Sequence, residues 1–242
     1  MPDTHCVSRF TIKPFLDLCR VSNLPTVWTN VLAATVLADV PFSWPSFLIL
    51  LLSLSLFYSG GMCLNDLWDA TVDRVHKPFR PIPSGRVSIR DARIFTVILF
   101  GLALAALVCL SPRSFVAGIL LLVLIVVYDR IHKRHPSSVL LMGACRLMVF
   151  VVCSVAVSGT VNGRVALGGF LQFAYVLILT VVSRYESRSE KEFAFPVIPT
   201  MIASISILDG IVMTLFASPF WFLTGLGGAA LTHLGQKYVR GD

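Results

Sequence analysis

The chain has 242 residues, of which 56% are hydrophobic and only 14% charged, and its mean hydropathy is +0.81. Soluble domains average about 25% charged residues, so this composition excludes a soluble enzyme or binding module and indicates a polytopic membrane protein. The formal net charge is +7, but the basic residues flank apolar segments. They therefore form no stripe on a soluble face of the kind that binds nucleic acid.

Eight apolar segments are each close to the ~20 residues that a helix needs to cross the hydrocarbon core. In chain order they cover residues 24–43, 46–65, 92–111, 114–129, 138–158, 164–183, 194–217 and 219–235. We therefore predict an all-α fold, a polytopic transmembrane helical bundle of about eight spans. The bundle is expected to occupy residues 1–242 as a single domain.

The basic residues predict how these spans are oriented. All Lys and Arg residues except Arg113, Arg146 and Arg164 lie before the first span, in or beside the connections after spans two, four and six, or after the last span. By the positive-inside rule, these segments and both termini are expected to be cytoplasmic. The first 20 residues are polar and mixed, without the pattern of a signal or transit peptide, which favours a bacterial inner membrane.

Oxygen-bearing side chains follow the second span at helical spacing. Asn65, Asp69 and Asp73 lie at positions i, i+4 and i+8, with Asp66 as a neighbour, so on a helix they share one face. Such oxygen ligands suit Mg²⁺, which commonly bridges carboxylates to the phosphates of a substrate. Basic side chains suit the remaining charge of a diphosphate, and four follow at once: Arg74, Lys77, Arg80 and Arg86. The pattern predicts a metal and diphosphate site at the membrane boundary.

A second charged cluster follows the sixth span on the same predicted side. Glu186 and Glu190 would share a helix face there, and Arg184 and Arg188 an adjacent one. One interpretation is a second pair of metal-binding carboxylates that faces the first across the bundle. The other is a solvated helix end stabilised only by exposed ion pairs, each worth about 0.2–0.5 kcal/mol.

Two charged residues lie inside predicted spans, where ionisable groups are costly and are usually paired or functional. Arg146 lies about two turns into the fifth span, and Asp209 lies near the middle of the seventh. One interpretation is a structural ion pair, or a side chain that extends toward the cytoplasm. The other places Arg146 beneath the diphosphate, or against a carboxylate or phosphate of another bound molecule.

Several of these segments resemble the UbiA superfamily of intramembrane prenyltransferases. The residues that carry the resemblance are Asn-x-x-x-Asp-x-x-x-Asp at 65–73 and Arg-Pro-x-Pro-Ser-Gly at 80–85, with further matches at 20–28, 128–133 and 142–146. The resemblance covers about residues 20–190. It implies a helical bundle around a central cavity, Mg²⁺-dependent departure of diphosphate from a prenyl chain, and electrophilic prenylation of an acceptor that is often aromatic.

The resemblance also implies roles for individual residues. Asn65, Asp69 and Asp73 would bind one Mg²⁺, and Glu186 and Glu190 would bind another. The expected substrate-binding residues near the diphosphate or acceptor are Lys77, Arg80, Tyr128, Lys133, Arg146 and Arg188. The expected partners are a prenyl diphosphate, a hydrophobic or aromatic acceptor and the lipid bilayer.

The chain departs from the family pattern in two respects. Members usually have Asp-x-x-x-Asp as the second motif, where this chain has Glu186 and Glu190. They also typically have nine helices, where eight spans are predicted for this chain. Both departures are similar to a less characterised EboC-like branch. They also keep open an alternative, a protein of the same fold that binds or transports an isoprenoid precursor without reacting it.

A cation channel is disfavoured, because the carboxylates lie beside many basic residues that would repel the ion. The sequence does not indicate the acceptor, the prenyl length or the oligomeric state.

Overall fold

The computed structural model describes residues 12–133, 135–188 and 196–239, and these residues form helices without any β-strand. In this part of the chain, nine α-helices are separated by short connections, with one 3-10 turn at Val21–Asn23. Their bounds are α1 Lys13–Cys19, α2 Leu24–Leu37, α3 Trp44–His76, α4 Ile89–Val108, α5 Pro112–Ile131, α6 Ser138–Ser158, α7 Gly163–Arg188, α8 Val197–Phe216 and α9 Trp221–Gln236. The prediction of an all-α bundle is confirmed, and each helix from α2 to α9 overlaps one of the eight predicted segments.

Six of these helices, α3 to α8, are long and apolar enough to cross a membrane. The helices α2 and α9 have only 14 and 16 residues, so the predicted first span, 24–43, is too long. The shortening of α2 has a local cause. Asp39 adopts a left-handed conformation with φ 58°, and Val40 precedes Pro41, a position that disfavours helix.

The helices pack in chain order into a ring, α3 on α4, α4 on α5 and so on to α9, which closes against α2. The helix α2 also contacts α3, α6, α7 and α8, and ten of its 14 residues are buried. The outer faces remain apolar, and Val97 and Leu215 are each 71% exposed. Apolar outer faces are what a bundle surrounded by lipid requires.

The acidic motif, Asn65 to Asp73, is helical because α3 continues beyond the length needed to cross the membrane. Its 33 residues correspond to about 50 Å, well beyond the ~30 Å of the hydrocarbon core. Ser43 caps its start by accepting a hydrogen bond from the Ser46 amide. The helix continues through Asp73 to His76 and ends where Lys77 precedes Pro78, again because a residue before proline disfavours helix.

The connection from α3 to α4 folds into compact turns. The Ser84 amide donates to the Arg80 carbonyl at 3.0 Å, and the Val87 amide donates to the Pro81 carbonyl at 3.1 Å. Gly85 adopts φ 76°, a left-handed conformation that glycine tolerates without a steric penalty. Ile82 and Val87 are buried in the same apolar cluster as Ala70 of α3. These turns return the chain to α3, and they explain why the Arg-Pro-x-Pro-Ser-Gly sequence ends in glycine.

Replacing Gly85 by Ala is expected to destabilise this connection by roughly 1–2 kcal/mol, because a Cβ atom disfavours the left-handed conformation. The matched control is Gly101→Ala in α4, where an added Cβ meets no atom within 4 Å and the helix gains a better helix former. Thermal unfolding of the two detergent-purified variants measures the difference. Equal unfolding temperatures for both variants would contradict the role given to Gly85.

The segments that were predicted to share one side of the membrane meet at one end of the bundle. Arg86 pairs with Asp17 of α1 at 3.1 Å, and Arg184 of α7 donates to the Ser138 hydroxyl at 2.7 Å. At the opposite end, Arg164 pairs with Asp39. We call the first the motif end of the bundle, since Asn65 to Asp73 of α3 lie there.

Candidate functional site

The four polar residues of the acidic motif lie on α3, as their spacing predicts. Asp66, Asp69 and Asp73 are all buried, with at most 7% of their surface exposed. Three closely spaced carboxylates repel one another unless cations lie between them. The surrounding elements supply those cations.

Asp66 and Asp73 share a cation from the α3–α4 connection. The Arg80 Nη1 atom lies 2.6 Å from Asp73 Oδ2 and 3.2 Å from Asp66 Oδ1. Arg20, which ends α1, approaches Asp66 Oδ1 from the other side at 3.1 Å. Arg80 is itself only 8% exposed, so the turns described above bury a guanidinium between two carboxylates. The sequence predicted Arg80 as a substrate-binding residue but did not reveal these contacts.

Asp69 is held by the end of α5 and the residues that follow it. The Lys133 Nζ atom lies 2.8 Å from Asp69 Oδ1, and the His132 Nε2 atom lies 3.3 Å from Asp69 Oδ2. Burial lowers the pKa of His132, but the hydrogen bond and charge of Asp69 outweigh it, so the pKa lies above its usual value. Tyr128 stacks on the His132 ring at a centroid distance of 5.4 Å. The structure thus brings the predicted residues Lys133 and Tyr128 to the acidic motif.

Asn65 contacts a carboxylate that the sequence analysis did not single out. Its Nδ2 atom donates to Asp129 Oδ1 at 3.1 Å, which orients the Asn65 amide and leaves its oxygen on the other side. Within the described chain, Asp129 Oδ2 is buried without a hydrogen-bond partner. The stretch from Tyr128 to Lys133 matched the family, so the signal that places Asp129 and His132 here was present in the sequence.

A cavity with a volume of about 90 Å³ begins at Asp129 and Tyr128 and extends into the bundle between α2, α3, α5 and α6. Its lining is mostly apolar and includes Phe57, Leu121 and Val149. The resemblance implied a helical bundle around a central cavity, and the structure confirms it. The motif end therefore has charged residues above an apolar chamber.

Arg146 lines the cavity, and the other predicted residues lie at the motif end or outside the described part of the chain. Lys77 directly follows α3, and its amide donates to the Asp73 carbonyl at 2.8 Å. Glu186 is on the last turn of α7, two residues after Arg184, which donates to the His132 carbonyl at 3.1 Å. Glu190 lies outside the described residues, as does the side chain of Arg188. The predicted second metal-binding pair stays a prediction.

Mg²⁺ requires several converging oxygen ligands. Among the described residues, no group of three or more His, Cys, Asp or Glu side chains is arranged to hold a metal ion, and the motif carboxylates contact Arg80, Lys133 and His132 instead. The donors nevertheless have suitable chemistry, since they are carboxylate and amide oxygens. The orphaned Asp129 Oδ2 atom adds one more buried oxygen beside Asn65. These residues fit Mg²⁺ in donor type.

Comparison with known proteins identifies the family. The chain matches the profile of the UbiA prenyltransferase family over residues 24–238. This protein belongs to the UbiA prenyltransferase family. The match includes every described element from α2 to α9, together with the acidic motif and the connection that carries Arg80.

Similar curated proteins are named digeranylgeranylglyceryl phosphate synthase. The one from Sulfolobus acidocaldarius is 34% identical over 124 residues, which are 51% of this chain and 45% of that protein. The one from Methanothermobacter thermautotrophicus is 28% identical over 231 residues, 90% of this chain and 78% of that protein. The chain thus covers about half the length of several of the curated relatives that it matches.

Solved structures share the fold. A UbiA homologue from Archaeoglobus fulgidus, bound to GPP and Mg²⁺, superimposes with a TM-score of 0.63 at 17% identity. The superposition covers 93% of this chain and 97% of that one. An apo UbiA homologue from Aeropyrum pernix gives a TM-score of 0.58 at 18% identity, over 89% and 96% of the two chains. At these identities the likeness is one of fold.

Proposed function

We propose that this member of the UbiA family transfers a prenyl group from a prenyl diphosphate to a hydrophobic acceptor with release of diphosphate. The observation that supports this is the position of the acidic motif. Asn65, Asp69 and Asp73 of α3, the basic residues Arg80 and Lys133, and an apolar cavity meet at one end of the bundle. The charged layer contains cations of the kind that bind a diphosphate, and the apolar lining of the chamber suits a prenyl chain.

The charged layer would bind the leaving group. Asn65, Asp69 and Asp73 would hold Mg²⁺, which neutralises negative charge as a diphosphate departs. Arg80 and Lys133 would then exchange their carboxylate partners for phosphate oxygens. Arg80 can grip two oxygens with its planar fork, whereas Lys133 acts as a point charge.

A second metal-binding position in this charged layer would come from the end of α7. We propose that Glu186 and Glu190 supply its carboxylates, since Arg184 fixes the last turns of α7 against Ser138 and the His132 carbonyl. Each Glu is one methylene longer than the Asp usual in the family. The test is the variant Glu186→Gln, which is expected to raise the Mg²⁺ concentration needed for half-maximal activity. Glu192→Gln is the control, and equal effects of the two would contradict the proposal.

The cavity would protect the reacting carbon. An allylic centre that loses diphosphate reacts readily with water, so an enzyme of this type must exclude water from it. The lining is mostly apolar, and the rings of Tyr58 and Tyr128 are part of it. Aromatic faces attract cations, so these two rings are suited to stabilise positive charge that develops on the prenyl chain.

The acceptor is proposed from the names of the relatives. They are called digeranylgeranylglyceryl phosphate synthases, so a prenylated glyceryl phosphate is the first acceptor to test, followed by aromatic acceptors. We place the motif end on the cytoplasmic side, because the connections that meet there contain most of the Lys and Arg residues.

The experiment that tests the proposal measures diphosphate release by detergent-purified protein. Geranyl, farnesyl and geranylgeranyl diphosphate are each supplied with and without Mg²⁺, in the presence of glyceryl phosphate, aromatic and alcohol acceptors. Mg²⁺-dependent release with formation of a prenylated product is the expected result. Tight binding of a prenyl diphosphate without any release over the whole panel would contradict it and indicate a non-catalytic binding or transport protein.

A further inference from the structure

Arg146 lies in the wall of the central cavity, and no carboxylate of the described residues contacts it directly. It is eight residues after Ser138, the first residue of α6, and thus about 12 Å from the motif end along the helix axis. Tyr58, Tyr128 and Asp129 line the same cavity. A charged side chain at this depth has a function or a partner. The sequence left two interpretations of Arg146, a structural ion pair with Asp209 or a contact with an anionic group of a substrate. The contacts of Arg146 distinguish them.

Neutral groups of α2 hold the guanidinium. Nη1 donates to the Asn30 side-chain oxygen at 2.6 Å and to the Thr26 carbonyl at 3.5 Å, and Nη2 donates to the Thr26 hydroxyl at 3.0 Å. Both Thr26 and Asn30 are completely buried. The two residues fix the position and the plane of the guanidinium without removing its charge.

A buried carboxylate, that of Asp209, is separated from Arg146 by Asn30. The Asn30 Nδ2 atom donates to Asp209 Oδ2 at 2.6 Å, and Gln172 Nε2 donates to Asp209 Oδ1 at 2.7 Å. Both oxygens of Asp209 are thus bonded to amides. A structural ion pair would bring the guanidinium and the carboxylate into contact. The predicted direct pair between Arg146 and Asp209 is therefore not formed; an amide lies between them.

This arrangement leaves donors available at the cavity wall. A guanidinium has five N–H groups, and the three contacts with Thr26 and Asn30 use three of them. No described residue accepts from the Nε–H group or from the second Nη2 hydrogen. An Nε–H group and an Nη2 hydrogen can together bind both oxygens of a carboxylate or phosphate in a fork.

We propose that Arg146 binds an anionic group, a phosphate or a carboxylate, on the acceptor substrate, and that Thr26, Asn30, Asp209 and Gln172 position it for that contact. The proposal rests on the transferase function proposed above and assigns the acceptor to the cavity side of Asp129. The diphosphate has its own cations, Arg80 and Lys133, at the motif end. An acceptor held by its anionic group at Arg146 would lie below the diphosphate, along the same chamber as the prenyl chain.

The test compares acceptors that differ only in charge. A prenylglyceryl phosphate is paired with its dephosphorylated alcohol, and 4-hydroxybenzoate is paired with phenol. Binding of each to detergent-purified wild-type protein is measured by calorimetry, and transfer is measured in parallel. The charged member of at least one pair is expected to bind roughly 10- to 100-fold more tightly, the range of one charge-assisted fork. The pair that shows the difference identifies the anion as phosphate or carboxylate.

Variants then assign the difference to Arg146. Arg146→Gln is expected to bind the charged and uncharged members equally, with acceptor KM raised and the Kd for farnesyl diphosphate with Mg²⁺ unchanged. Arg146→Lys, which keeps the charge but loses the fork, is expected to give an intermediate effect and remains informative if Arg146→Gln does not fold. Arg113→Gln, on an exposed arginine near Gly159 at the opposite end, is the matched control.

Two results would overturn the proposal. One is wild-type protein that binds charged and uncharged acceptors equally. The other is an Arg146→Lys variant that weakens farnesyl diphosphate binding as much as acceptor binding, which would give Arg146 a role at the diphosphate or in the fold. Failure of the transferase proposal gives a different result. The wild-type protein would then still bind charged acceptors more tightly than uncharged ones, and the Arg146 variants would still lose this difference, but no diphosphate would be released.

Discussion

Replacing Asp69 by Asn is expected to lower the rate of prenyl transfer by roughly 10³-fold, because a metal ion contributes several kcal/mol of charge stabilisation as the diphosphate leaves. Stability should change little, since the partners of Asp69 are Lys133, whose side chain is 40% exposed, and His132. The measurement is the initial rate of diphosphate release at saturating Mg²⁺, together with the thermal unfolding temperature in detergent.

The matched control is Asp17→Asn, which removes a carboxylate from α1 at the same end of the bundle. Asp17 pairs with the exposed Arg86, outside the acidic motif, and its loss is expected to leave the rate near that of the wild type. A rate in Asp69→Asn that equals the rate in Asp17→Asn would exclude Asp69 as a metal ligand. Normal expression with lost activity is the result that supports it.

Replacing Arg80 by Gln is expected to reduce both stability and activity. Arg80 is buried between Asp66 and Asp73, and removal of one member of a buried ion pair costs about 3–5 kcal/mol because a charge stays behind unpaired. Added Mg²⁺ should recover part of the lost stability, since it supplies the missing positive charge to the same carboxylates. Thermal unfolding with and without Mg²⁺ measures both effects.

Arg86→Gln is the control for this prediction. Arg86 lies six residues further along the same connection, but its side chain is 41% exposed and its partner is Asp17. An exposed pair contributes about 0–1 kcal/mol, so the variant should unfold near the wild-type temperature and show no added response to Mg²⁺. The same response to Mg²⁺ in both variants would show that the stabilisation does not depend on the buried carboxylates.

The sequence was sufficient to locate the helices and the acidic face because both depend on local periodicity. Apolar runs of nearly 20 residues marked α3 to α8, and the i, i+4, i+8 spacing of Asn65, Asp69 and Asp73 predicted a shared helical face. The error in α2 also had a local signal. Pro41 stands inside the predicted first span, 24–43, and the structure ends the helix at Leu37.

The contacts between distant elements were not predictable in the same way. Arg80 reaches Asp66 and Asp73 because the chain turns directly after α3, where the Arg80 amide donates to the Lys77 carbonyl at 3.1 Å. No periodicity in the sequence shows this turn. Asn30 had no sequence signal at all. It lies between Arg146 and Asp209 because α2 occupies the middle of the bundle, which depends on how the five helices that contact α2 pack.

The ion pairs at the acidic motif would couple the two ligands that the proposed reaction needs. A divalent cation that arrived alone would have to displace Arg80 or Lys133 from the carboxylates, and a diphosphate that arrived alone would meet buried negative charge. With both present, the carboxylates would hold the cation, and Arg80 and Lys133 would be free to bind the phosphates. Each ligand would then raise the affinity for the other by the same factor, as thermodynamic linkage requires. Free diphosphate and free metal ions would each compete poorly for a site whose charges are already balanced.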